Sequence, residues 1–160
     1  MPLNAQISLS ILSHETSSGD LSRTLRATPA NYAIALTDGT GANQANLVWS
    51  ESKSLASGAD WNASENNFAG FVDDRGTVAF TAVKAIYVKN TGAHPVTLVT
   101  AEWPQFGFDE EIVIPAGSVF FVCRADASGW ATANSALFFS AGEQQSTTFE
   151  VMLIGEGSIS

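Results

Sequence analysis

No stretch of this 160-residue chain carries an apolar stripe of helical period with capping residues, whereas short alternating runs recur along its whole length. At least eight such runs, about ten residues apart and divided by Gly, Asn, Asp and Pro turns, restrict the chain to an all-β fold. Their irregular spacing favours a jelly-roll-like β-sandwich over an up-and-down barrel. Hydrophobic residues make up 45 %, with ten Phe and four Trp, which is enough bulky material for one core.

The runs divide into two regions. In Gln6-Ile7-Ser8-Leu9-Ser10-Ile11, the apolar Ile7, Leu9 and Ile11 share one face. Tyr32, Ile34 and Leu36 alternate in the same way with Ala33 and Ala35. Between them, residues 13–20 read as a polar loop, and residues 21–29 have no helical stripe before Pro29. The expectation is an extended N-terminal arm over residues 1–35 with strand segments, followed by a single β-sandwich domain over 36–160. Some 30 extended residues reach up to ~100 Å. Arm strands with one apolar face bury it by adding to another chain, so Ile7, Leu9, Ile11, Tyr32 and Ile34 are the candidate partner-binding residues.

Residues 36–49 join arm to body, with Gly39 and Gly41 supplying backbone freedom for a change of direction. Within the body, the clearest strand is Ala85-Ile86-Tyr87-Val88-Lys89. Residues 96–101 read as its hairpin partner. Val119–Cys123, apolar on both faces, reads as a central strand, and residues 149–153 as the last one.

The net charge is −9, spread evenly, and the seven Lys/Arg form no cluster. That argues against nucleic-acid partners and anionic membranes. A single cysteine, Cys123, excludes an intrachain disulfide. The N-terminus has neither the basic start nor the apolar core of a signal peptide, so synthesis in a cytoplasm is expected.

Motifs with chemistry are sparse. Gly39-Thr40-Gly41 lacks the rest of a phosphate-binding loop. His14 and His94 stand far apart, without metal-ligand spacing. Asp73-Asp74 and Asp109-Glu110-Glu111 offer oxygens for Ca²⁺ but no EF-hand pattern. Cys123 sits in an apolar strand with nothing to place His94 beside it. Glu102 and residues 109–111 are carboxylates that any acidic domain offers. No catalytic residue, metal or cofactor is expected. Trp61, Trp103 and Trp130 fall near predicted loops, where they stack on saccharides, line an interface, or anchor loops to the core.

The stretch Leu36-Thr37-Asp38-Gly39-Thr40-Gly41-Ala42-Asn43-Gln44-Ala45-Asn46-Leu47-Val48-Trp49 resembles a segment of small virion structural proteins of tailed bacteriophages and prophages. The likeness continues in Lys84-Ala85-Ile86-Tyr87-Val88, in Ile114-Pro115-Ala116-Gly117-Ser118-Val119-Phe120 and in Ser128-Gly129-Trp130-Ala131, so it spans most of the chain after about residue 5. The resemblance implies a jelly-roll-like or sandwich fold and a place on the phage particle, and it carries over no catalytic residues. A capsid cement (decoration) protein matches an acidic body with a clasping arm. It would form a dimer or trimer, bridge the major capsid protein on the outer surface of the head, and be made in the host cytoplasm. The alternative is a head-spike, fibre or tail-associated module that binds a host-surface glycan.

Overall fold

A computed structural model of the chain describes residues 2–11, 14–17, 23–26, 30–64, 67–108 and 111–160. Four strands form the N-terminal region: β1 (Ala5–Ile11), β2 (His14–Ser17), β3 (Arg23–Arg26) and β4 (Ala30–Leu36). The body follows with β5 (Leu47–Leu55), β6 (Asp60–Asn62), β7 (Phe71–Asp73), β8 (Gly76–Asn90) and β9 (Val96–Leu98). It ends with β10 (Ile112–Ile114), β11 (Val119–Cys123), β12 (Trp130–Ala131), β13 (Phe138–Ala141) and β14 (Thr147–Ile159).

The body is an all-β sandwich of two antiparallel sheets. One has the order β11-β8-β14-β5, with β7 and β12 also pairing with β8; the other has the order β10-β9-β13-β6. Counting β7 with β8 and β11 with β12, the chain changes sheet at every step except β9 to β10. The core lies between the sheets because each strand turns alternate residues inward. In β14, Thr147, Phe149, Val151 and Leu153 are buried while Glu150 and Met152 are exposed. Their inward partners are Trp49, Ile86 and Val88 on one sheet and Val96, Leu98, Ile114 and Phe139 on the other. Each fully buried side chain of this size contributes ~1.5–3 kcal/mol relative to exposure.

Two tryptophans of this core differ in what they do with the indole N–H. Trp103 Nε1 donates to the Ala131 carbonyl at 3.0 Å. Trp49 Nε1 is buried with no hydrogen-bond partner among the described residues. Trp103→Phe strands a carbonyl and opens a gap, for an expected cost of ~2–3 kcal/mol. Trp49→Phe opens a comparable gap but removes an N–H that is already unpaired, so it is expected to cost ~1 kcal/mol less than Trp103→Phe. Urea unfolding of the two variants side by side checks the order.

The larger sheet is centred on β8 and β14, where the register slips twice, between Ile154 and Gly155 and between Glu156 and Gly157. The first slip leaves Lys84 without an opposite residue. Its side chain is fully buried, with Nζ 2.9 Å from Glu156 Oε1 and donating to the Asp126 carbonyl. The backbones of the two strands crowd here. A Cβ built on Gly155 would stand 2.1 Å from the Ala82 carbonyl oxygen.

The structure corrects three expectations about the strands. Residues 96–101 do not pair with β8. Only 96–98 are strand, and β9 pairs with β10 and β13 in the opposite sheet. Buried Asn90 explains the crossing, because its amide donates to the carbonyls of His94 and Ile114 and turns the chain over the sandwich edge. Val119–Cys123 is an edge strand. It is apolar on both faces because Phe120 and Val122 pack on the sandwich core while Phe121 and Cys123 pack under the N-terminal region. The loop expected over residues 13–20 contains strand β2 at 14–17.

The N-terminal region doubles back on itself. β1 pairs with β4 from Ala5↔Leu36 to Ile11↔Ala30, and β2 pairs with β3 from His14↔Arg26 to Ser17↔Arg23. The second ladder lies in sequence within the span that β1 and β4 close, one residue out of step with the first. Folding back halves the reach that a fully extended arm would have.

Candidate functional site: the hairpin and the sheet face beneath it

The site is built on the joint between hairpin and body. Gln44 folds its side chain into its own loop, where Oε1 accepts from the Gly41 N–H at 2.8 Å. A Cβ on Gly39, whose φ is +139°, would lie 2.6 Å from that oxygen. The two glycines therefore make room for the Gln44 amide. Asn46 then grips the end of β14: its Nδ2 donates to the Gly157 carbonyl at 3.1 Å, and its Oδ1 accepts from the Gly157 N–H at 2.9 Å. Asn43 N–H donates to the Ala125 carbonyl, and Leu3 N–H donates to Asp38 Oδ1. The conspicuous Gly/Asn/Gln stretch is thus a clamp that fixes where the hairpin leaves the body.

Cross-strand pairing places Ala5 with Leu36, Ile7 with Ile34 and Leu9 with Tyr32, so these apolar residues form one stripe. Its base is covered. Leu36 is fully buried, and Leu3, Ala5, Ile7 and Ile34 pack with Ala85, Phe121, Cys123 and Ile154 on the outer face of the larger sheet. Farther along the stripe the cover ends, and Leu9, Ile11 and Tyr32 are 50 %, 55 % and 44 % exposed. Of the five arm residues picked out by the sequence, Ile7 and Ile34 face the chain's own body; Leu9, Ile11 and Tyr32 remain open.

A cleft of about 600 Å³ separates the standing-off part of β1 from the sheet below. Its floor is Tyr87, Val119, Phe121, Glu150 and Met152. Val119 and Met152 are exposed large apolar residues. The sequence reading missed this floor, although the two-faced apolar character of Val119–Cys123 was its signal.

The Tyr32 hydroxyl and the Cys123 thiol of β11 influence each other electrostatically. Burial pushes the Cys123 thiol above its ordinary value, and Tyr32 opposes that rise. Burial also raises the Tyr32 hydroxyl, with Cys123 adding to it. A thiol raised on folding stays neutral while the unfolded chain ionises first. The stability it contributes is fully present below the ordinary thiol range and is lost as pH rises through the folded value. At alkaline pH, Cys123 is therefore expected to react with iodoacetamide more slowly in the folded protein than in the unfolded chain. Tyr32→Ala is expected to speed the reaction by opening access, as thiol-labelling rates would show.

Two of the three tryptophans near the expected loops are buried. Trp103 and Trp130 are 1 % and 7 % exposed, so of the readings open for them both take the one that anchors loops to the core. Trp103 lies between Phe68 and Phe106, with ring centroids at 4.4 and 4.5 Å, because the short 3-10 turn Thr100–Glu102 drives it inward. Trp61 is half-buried, stacked 5.9 Å from Phe139 with Lys53 Nζ 4.7 Å from its ring centroid.

No group of three metal-ligating side chains gathers among the described residues. Asp73 is held below the usual carboxylate range first by its hydrogen bond to the Arg75 guanidinium. Asp109 and Glu110 lie outside the described residues. Cys123 pairs with Ala85, whereas Asn90, at the C-terminal end of β8, holds the His94 carbonyl. The chain has no match among known protein families, curated proteins or solved structures.

Proposed function

We propose that this protein is a non-enzymatic structural component of a phage virion, a cement or decoration protein that holds major capsid protein subunits together from the outer surface of the head. The observation that carries this reading is the hairpin. It is a rigidly rooted element whose apolar stripe is covered at the base and left open at Leu9, Ile11 and Tyr32. An exposed stripe on a projecting ribbon is a surface for another chain. The resemblance of residues 36–49 to virion proteins supports the same reading, and those residues build the root of the hairpin.

The strand order agrees with a jelly roll. Taking β5, β6, β8, β9, β10, β11, β13 and β14 as its eight strands, the first, eighth, third and sixth make one sheet and the second, seventh, fourth and fifth the other. We read this as two interleaved Greek keys, an architecture found in capsid proteins and in lectins. With Trp103 and Trp130 in the core, the glycan-binding alternative keeps only half-buried Trp61 of its three tryptophans.

A few hundred Å² of apolar surface per hairpin, at ~25 cal/mol per Å², makes each contact weak. Several hairpins on one oligomer make the attachment strong. The test is binding of purified protein to particles of the encoding phage stripped of it, with the open part of the hairpin present or replaced.

A further inference from the structure

We infer that two copies of this chain join edge to edge through β5, making one continuous sheet across a two-fold axis at Ser52. β5 closes one side of the larger sheet, and among the described residues it pairs only with β14. Its nine residues exceed those of β6, β10 and β11, the other edges of the sandwich. Its register with β14 runs from Leu47 to Leu55 without a bulge, and it contains no proline. A long edge of this kind is a template for one more strand.

The ladder shows which residues offer their backbone outward. The Thr91 N–H donates to the Thr148 carbonyl, so Thr148, Glu150 and Met152 turn their backbone groups to β8. The residues between them, Phe149 and Val151, bond to Lys53 and Glu51 of β5. Ser50, Ser52 and Ser54 are therefore left facing the free edge, and all three are exposed. Val48, in the same phase, has its carbonyl taken by the Arg75 guanidinium. At the other end the Ala56 carbonyl accepts from the Ala59 N–H. The open edge is thus bounded at 48 and 56, and its midpoint is Ser52.

Charge selects a second copy as the occupant. Antiparallel pairing about Ser52 sets Ser50 against the partner's Ser54 and Glu51 against the partner's Lys53. These last two occupy the non-hydrogen-bonded sites, where facing side chains come closest. Within one chain Lys53 Nζ is 4.0 Å from Glu51 Oε1, and the side chains keep 34 % and 38 % exposure, so both have charge left to offer. Centring the pair on Glu51 or on Lys53 would oppose like charges instead. Glu150 lies beside Ser52 on the outer face, but its other neighbour is Lys89. The two copies of Glu150 stand three strand spacings apart, ~14 Å, beyond the ~8–10 Å reach of screened charge. Asp60, exposed on β6, belongs to the opposite sheet, ~10 Å away at ordinary sheet spacing. The same edge is used on both copies, so association closes at two.

The pairing uses neither the hairpin nor its stripe and is read in solution with no shell present, so its failure leaves shell binding standing. So short a ladder makes a reversible pair. Sedimentation of the full chain is expected to rise from 16.8 kDa towards twice that mass as concentration reaches ~100 µM. Glu51→Lys and Lys53→Glu each set like charges together across the axis and are each expected to weaken the pair ~10-fold or more. The double substitution Glu51→Lys/Lys53→Glu is expected to restore it. An unchanged melting curve is the folding control for all three. In a Cys123→Ser background, Ser52→Cys supplies the one thiol of the chain, so any disulfide joins two copies, and oxidation is expected to form it. A mass of 16.8 kDa at every concentration overturns the proposal. So does a dimer indifferent to the single reversals, a double variant that stays monomeric, or an oxidised Ser52→Cys protein that runs as a single chain.

Discussion

Gly155→Ala is expected to unfold most of the chain. The position sits between two neighbours, paired with Val83 of β8 on one side and Leu47 of β5 on the other. An added Cβ would meet the Ala82 carbonyl oxygen at 2.1 Å and the Val83 Cα at 3.0 Å. These are backbone atoms at the centre of the larger sheet, so no rotamer change relieves the clash. Relief requires β8 and β14 to separate, which breaks ladder hydrogen bonds and pulls Lys84 from Glu156. Loss of one partner of such a buried pair is itself costly. The expected destabilisation is ~4 kcal/mol or more, a large fraction of the stability of a domain this size. Gly117→Ala is the control: its φ is +70° but nothing lies within 4 Å, so only backbone strain of ~1–2 kcal/mol is expected. Circular dichroism and urea titration of both variants separate the two outcomes.

Replacing residues 8–33 with an Asn-Gly linker that joins Ile7 to Ile34 is expected to abolish shell binding and leave the body folded. Ile7 and Ile34 are cross-strand partners, so the linker closes a shorter hairpin in the native register. The base keeps its cover over Ala85, Phe121 and Ile154. The removed Leu9, Ile11 and Tyr32 are largely exposed, so melting should move by ~1 kcal/mol or less. Binding to particles should fall ~100-fold or more, because every copy loses its contact at once. Deleting residues 2–30 outright is a poorer experiment. It strips Leu3, Ala5 and Ile7 from the sheet face and leaves an apolar surface that favours aggregation.

The alternation that marks a β-sandwich was plain in the sequence, and so was the stripe of Ile7, Leu9 and Ile11. Local pattern does not say which sheet a strand joins. β9 looked like a hairpin partner for β8 until Asn90 was seen to hold the crossing. Val119–Cys123 looked central because period-2 reasoning registers two apolar faces without saying what covers them; here the outer cover is the hairpin itself. Their place near loops left the tryptophans open to saccharide stacking, an interface or anchoring of loops to the core. The aromatic cluster of Phe68, Trp103, Phe106 and Trp130 pulls its loops into the core. The Gly/Asn/Gln joint was recognisable as a turn, but the Gln44 and Asn46 hydrogen bonds that make it a clamp join residues up to 111 positions apart.

The proposed function makes the hairpin the clasp between this protein and a virion shell. An electron cryomicroscopy reconstruction of particles of the encoding phage tests that most directly. It should show the sandwich body on the outer surface of the head, with the hairpin lying across a junction between capsid subunits. A shell with no density for this protein, or a body seated by its loops with the hairpin pointing away from the capsid, would contradict it.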